Sequence, residues 1–162
     1  WFQGGAFCPV MRLPGDREPR QPQYGTTGGY FCASGADNEV WSYGPEAFEI
    51  CKKYLRLREE MRDYTRKLME EAHTKGLPLM RAMFVEFPDD PVCWELEEQY
   101  RYGDKSLVAR ILNLGQRARK VYLPSGCGWR LSDGSQQIFS GGQWTEVRAP
   151  LDTMPVFERV RR

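Results

Sequence analysis

The hydrophobic period changes along this chain, and that change limits the possible folds more than any single motif does. Between Pro45 and Gly76, apolar residues recur at helical steps: Phe48, Cys51, Tyr54, Leu55, Met61, Tyr64, Leu68 and Ala72. That spacing puts them on one face and predicts an amphipathic helix, or two in series, with Lys and Arg towards solvent. Pro45 suits the first helical position, Glu46 the first turn and Gly76 the stop. Glu70 and Glu71 oppose the helix dipole near the end, so packing must outweigh local charge there.

After Gly76 the pattern becomes a continuous apolar run, 77–87, which predicts a buried strand ended by Pro88-Asp89-Asp90-Pro91. Residues 92–101 read as one short helix and 106–112 as another buried strand. Helix followed by buried strand is the order of an α/β layer. From about Arg119 the period shortens to two. Val121-Tyr122-Leu123, Trp129-Arg130-Leu131, Gln137-Ile138-Phe139, Trp144-Thr145-Glu146-Val147 and Val156-Phe157-Glu158 are strand candidates between Gly- and Pro-containing turns. They predict an antiparallel sheet, one sandwich begun but not completed. The boundary falls near residue 118, dividing the chain into 1–118 and 119–162. Residues 9–45 carry dense turn formers without a period and predict a long functional loop.

The opening Trp1-Phe2-Gln3-Gly4-Gly5-Ala6-Phe7-Cys8-Pro9 is apolar and aromatic, as expected inside a domain, so the chain is expected to be the rear part of a larger protein. Its 23 Lys+Arg nearly cancel 22 Asp+Glu, which supplies no electrostatic footprint for nucleic acid or an anionic membrane. No apolar stretch is long enough to span a bilayer. Five dispersed cysteines without a C-x-x-C pair favour reduced thiols and a cytoplasmic setting.

Few side chains offer chemistry by pattern. The sole histidine, His73, stands in the last helical turn, where a cation is favourable without any further role. Asp89-Asp90 and Asp16-x-Glu18 invite a carboxylate-pair reading, but Asp beside Pro is ordinary turn chemistry. Trp41, Trp94, Trp129 and Trp144 are expected mainly in the core, with sugar stacking as the alternative. One His and scattered Cys do not form a metal set. The Gly25–Gly35 stretch follows no strand and is not a phosphate loop.

Several phrases, in order over nearly the whole chain, resemble glycoside hydrolase family 31, particularly its α-xylosidase and α-glucosidase branch. They are Trp1 to Leu13, Glu39-Val40-Trp41-Ser42-Tyr43-Gly44, and Met80-Arg81-Ala82-Met83-Phe84-Val85-Glu86-Phe87-Pro88-Asp89-Asp90. Further on come Gln99-Tyr100, Gly103-Asp104, Leu107-Val108-Ala109, Tyr122-Leu123-Pro124-Ser125-Gly126, Gly141-Gly142 and Ala149-Pro150-Leu151-Asp152. The resemblance implies the incomplete C-terminal part of a (β/α)8 barrel followed by the first strands of an antiparallel β-sandwich. It implies a retaining exo-α-glycosidase parent that hydrolyses terminal α-linked xylose or glucose, with an oligosaccharide or glycoside as partner, no cofactor, and an oligomeric state left open. A retaining pair needs carboxyls roughly 5–5.5 Å apart. In the family both acids precede the part resembled here, so no catalytic residue is assigned to this chain.

The same resemblance implies a substrate-binding role for Arg12 and for position 14, where the family usually has His and this chain has Pro14. Proline can donate no hydrogen bond. Asp16 lies on the same loop and is a candidate for the substrate rim. Arg110 stands where Pro is usual, Arg101 where an apolar residue is usual and Asp63 where Pro is frequent. The alternative reading is a non-catalytic or degenerate carbohydrate-binding module or structural remnant. Two barrel strands cannot close a barrel, so residues 79–112 are expected to expose apolar edges in isolation.

Overall fold

The computed structural model describes residues 1–13, 17–21 and 34–160. Its described strands pair antiparallel throughout. A short helix α1 (Phe2–Ala6) comes first. Strands β1 (Arg17–Gln21) and β2 (Ser34–Ala36) then form a two-stranded pair. The region expected as an unstructured loop therefore contains a ladder that its sequence does not announce.

The helical expectation is met. Helix α2 (Pro45–Glu60) and helix α3 (Arg62–Lys75) run in series, and Gly76 closes α3 in the left-handed conformation at φ 70°. Leu68 and Tyr54 are buried on the inner face, whereas Leu55 is 39% exposed and Arg58 turns inward. Glu71 tolerates the unfavourable helix end because Arg81, nearly buried, reaches it at 3.4 Å and also pairs with Glu86.

Two expectations in the middle of the chain are corrected. The run 77–87 is a two-residue strand, β3 (Met80–Arg81), followed by the one-turn helix α4 (Met83–Glu86). Residues 92–101 are a 3-10 turn (Pro91–Trp94) and then β4 (Gln99–Tyr102), not one helix. Pro91 and the Asp90 carboxylate, which accepts from Val92 N at 3.2 Å, start the turn. Long-range pairing then decides the strand: β4 lies between β3 and β5 (Ser106–Ala109) and is buried along its whole length.

The later strands follow the sequence closely: β6 (Ala118–Leu123), β7 (Gly128–Leu131), β8 (Ile138–Ser140), β9 (Gln143–Arg148) and β10 (Val156–Val160). They divide into a six-stranded sheet, β3-β4-β5-β10-β7-β8, and a two-stranded sheet, β6-β9. The large sheet runs across residue 118, because β5 pairs with β10: Val108 stands opposite Val156 and Leu107 opposite Phe157. That pairing covers the strands within 79–112 that were expected to be exposed, and Leu79, Met83, Leu107, Val108 and Ala109 are all buried.

The large sheet is covered on both faces. One core joins Leu107, Trp129 and Phe157 to Val121, Leu123 and Val147 of the small sheet. The other packs Tyr100, Tyr102 and Val108 against Phe7, Tyr54 and Leu68 of the helical layer. Strand alternation explains the division, since successive side chains point to opposite faces. Gln99 ties the layers together by donating to Tyr122 O at 2.7 Å and accepting from Tyr122 N at 3.0 Å.

Candidate functional site

The resemblance directs attention to the segment after α1. Arg58 of α2 organises it. Its guanidinium donates to the carbonyls of Cys8 (2.7 Å), Ala6 (3.1 Å) and Pro9 (3.1 Å), and more distantly to Gly5 (3.4 Å). A planar fork of donors is suited to several carbonyls on one bend of chain. Tyr100 adds a fixed point by donating its hydroxyl to Phe7 O at 2.8 Å, and the Phe7 ring meets Tyr102 edge-on. The turn is thus anchored to both a helix and a sheet.

The bend carries Arg12 to the edge of an open cleft of about 520 Å³. Phe2, Met11 and Leu13 form one wall; Val40 and Tyr43 of a 3-10 turn (Val40–Tyr43), with Cys51 of α2, form the other. Arg12 is exposed and makes no hydrogen bond or ion pair with another described residue. Tyr43 is held by donating its hydroxyl to Asn38. Burial pushes the Cys51 thiol pKa up, which disfavours the thiolate. The described lining holds a cation and aromatic and aliphatic surface, but no pair of carboxylates. Such a surface can hold a neutral sugar or a packed apolar neighbour; the acid and nucleophile of glycoside cleavage would have to come from elsewhere.

Of the sequence candidates, Arg12 lies at this cleft, while Pro14 and Asp16 fall outside the described residues. His73 is exposed at the end of α3, as its dipole reading requires. Asp90 caps the 3-10 turn and accepts from the Tyr122 hydroxyl at 2.9 Å. The tryptophan expectation is corrected: Trp129 is fully buried, but Trp41, Trp94 and Trp144 are 69%, 57% and 53% exposed. Short turns and a sheet's outer face present them, and burial depends on which face the tertiary pairing covers.

Sequence reasoning missed Arg58. It lies one position after Leu57 and four after Tyr54, on the edge of the inward face, and that placement was the only available signal. Arg101 and Arg110 were noticed only as departures. Arg101 is fully buried with its guanidinium over Trp129, and Arg110 lies over Tyr100 beside Gly4. Their Nε atoms are the buried side-chain nitrogens without a hydrogen-bond partner among the described residues.

Comparison with known proteins places this geometry. Residues 76–160 match the glycosyl hydrolase family 31 C-terminal domain. Alpha-glucosidase 2 of Bacillus thermoamyloliquefaciens is 32% identical over 158 residues, covering 97% of this chain and 18% of that protein. The alpha-xylosidase of Saccharolobus solfataricus is 29% identical over 159 residues, covering 98% of this chain and 19% of that protein. Among solved structures, a GH31 alpha-xylosidase from a soil metagenome, complexed with xylose, superposes with a TM-score of 0.91 at 45% identity. That match covers 98% of this chain and 24% of the other. The chain therefore spans only about a fifth to a quarter of the length of these relatives.

Proposed function

The chain belongs to glycosyl hydrolase family 31, and from that premise we propose that it is the C-terminal portion of a retaining exo-α-glycosidase acting on terminal α-linked xylose or glucose. The observation that carries the reading is the 45% identity, over 98% of this chain, to an α-xylosidase complexed with xylose. That likeness favours xylose. In this reading the helical layer α1–α3 is the end of the parent's barrel and the strands from β3 onwards belong to the β domain. The family match beginning at residue 76 and the sheet crossing residue 118 support a division nearer 76.

The parent's preceding barrel would supply both catalytic carboxyls and would pack on the open cleft beside Arg12. Exposed Trp1, Val10 and Trp41 support that packing, because apolar surface of this kind gains from being covered. Arg12 contributes a donor at the sugar site. Pro14 removes one, at about 1–3 kcal/mol for a hydrogen bond left unmade at a buried polar group.

Nitrophenyl α-xyloside and α-glucoside hydrolysis by the purified 162-residue chain, with circular dichroism on the same sample, tests the proposal. A folded chain without turnover is expected. Turnover by the folded chain would overturn the assignment of the acids to a preceding segment. A second reading, a sugar-binding remnant that no longer hydrolyses, is favoured by the Arg101 and Arg110 Nε atoms, which lack a partner among the described residues and fall at two positions departing from the family pattern.

A further inference from the structure

We propose that the outer face of the β6–β9 sheet carries a carbohydrate-binding cleft centred on Trp144. The proposal goes beyond the glycosidase reading, because every residue it uses belongs to the strands and loops after β3.

The geometry begins with a supported aromatic platform. Trp144 of β9 stands opposite Tyr122 of β6 in the ladder, and the two rings meet with centroids 5.4 Å apart at 56°. Tyr122 is itself fixed. Its backbone is held in both directions by Gln99 and its hydroxyl donates to Asp90. Trp144 therefore rests on a rigid neighbour while about half of its surface stays open to solvent. A ring held in one orientation loses little conformational entropy when a flat ligand stacks on it.

Polar groups converge on the same place. The Trp144 cleft, about 410 Å³, is walled by Glu95, Glu97 and Glu98 and floored by Gln99, Arg119 and Lys120. A contiguous depression continues over Lys120, Thr145 and Glu146. Arg119 is almost fully buried and locked by Glu98 and by the carbonyls of Glu98 and Arg110, so one side of the floor is preorganised. Glu95 and Glu97 are exposed and their side-chain carboxylates make no hydrogen bond or ion pair with a described residue, which leaves those acceptors available.

This combination selects a ligand class. An anionic chain would meet three carboxylates. A metal ion would meet two cations interleaved with the acids. An apolar ligand would bury the charged floor without partners. A neutral polyhydroxylated ring satisfies all parts at once: its C–H face stacks on indole while its hydroxyls donate to carboxylates and accept from Arg or Lys.

The test is a titration of the isotope-labelled 162-residue chain with maltotriose, and separately with xylotriose, followed by NMR. The indole N–H of Trp144 and the backbone amides of Lys120 and Thr145 are expected to shift saturably. Trp144→Ala should weaken binding about tenfold or more, while Trp144→Phe, which keeps a ring, should retain part of it. Trp41→Ala, at an exposed indole outside this cleft, should leave these shifts unchanged. A dispersed spectrum for Trp144→Phe verifies that the fold survives. No saturable shift at Trp144 with either sugar, or shifts confined to the Arg12 cleft, would overturn the proposal. Hydrolysis is not read in this titration, so its failure leaves the glycosidase reading standing, and the reverse also holds.

Discussion

The guanidinium of Arg101 lies 5.1 Å from the centroid of the Trp129 ring, and both side chains are fully buried. Arg101 faces this core because Tyr100 and Tyr102, on either side of it in β4, face the helices. Its terminal nitrogens donate to Asp104 O and Lys105 O, but Nε has no partner among the described residues. Burial pushes its pKa down to about 10, with Glu86 opposing. A buried charge held this way is costly to break yet replaceable by an apolar chain. Arg101→Met is therefore expected to leave the melting temperature unchanged or raised. Arg101→Ala, which opens a cavity, should cost about 3 kcal/mol in chemical denaturation.

Gly103 permits the close approach of α3 to the sheet. Its φ is +59°, and an added Cβ would lie 2.2 Å from the Tyr64 hydroxyl and 2.7 Å from Leu68. Gly103→Ala combines strained backbone with a steric clash and is expected to destabilise by about 2–4 kcal/mol. Urea denaturation checks it, and a loss below half a kcal/mol, roughly the range of neutral surface changes, would contradict this packing.

Removing the Arg58 fork takes a donor from the carbonyls of Gly5, Ala6, Cys8 and Pro9 at once. Arg58→Met is expected to lower stability by about 2 kcal/mol, since hydrogen bonds from a charged donor are stronger than neutral ones. Faster amide exchange should be concentrated at Gly5 to Cys8, whereas the β6–β9 amides keep their protection. Uniform loss of protection would show instead that Arg58 supports the whole fold.

Tyr122 should impose an alkaline limit on stability. Burial, reinforced by the hydrogen bond and the charge of Asp90, pushes its pKa up to about 12 from 10.0. The folded value is the higher, so the stabilising effect is complete below pH 10 and disappears as pH climbs through 12. Tyr122→Phe should lose about 1 kcal/mol at neutral pH. The gap between wild type and variant should narrow over that alkaline window when both are unfolded in urea at stepped pH.

Cys93 is fully buried, and burial with the nearby Asp90 charge pushes its thiol pKa up to about 12. Iodoacetamide is expected to leave Cys93 unmodified in the folded chain and to alkylate it after denaturation. Mass spectrometry of the digested protein reads the difference directly; labelling at native rates would place Cys93 at the surface.

The pattern of the apolar residues by itself determined α2, α3, β5 and the five strands from β6 to β10, because local side-chain alternation and helical spacing survive any change of partner. Gly76 marked its helix stop for the same local reason. The ordered phrases from Trp1 to Asp152 carried the family, and they located Arg12. The tertiary structure alone decided the rest. Gln99–Tyr102 became a strand, and the strand expected over 77–87 was cut to Met80-Arg81, because β4 pairs with β3 on one side and β5 on the other, and a buried amide needs a partner. Which tryptophan is buried followed from which sheet face is covered, so Trp129 lies in the core while Trp144 faces solvent. Arg58 and Gln99 look like ordinary polar residues in the sequence; their roles exist only where folding brings distant carbonyls and amides within hydrogen-bond reach.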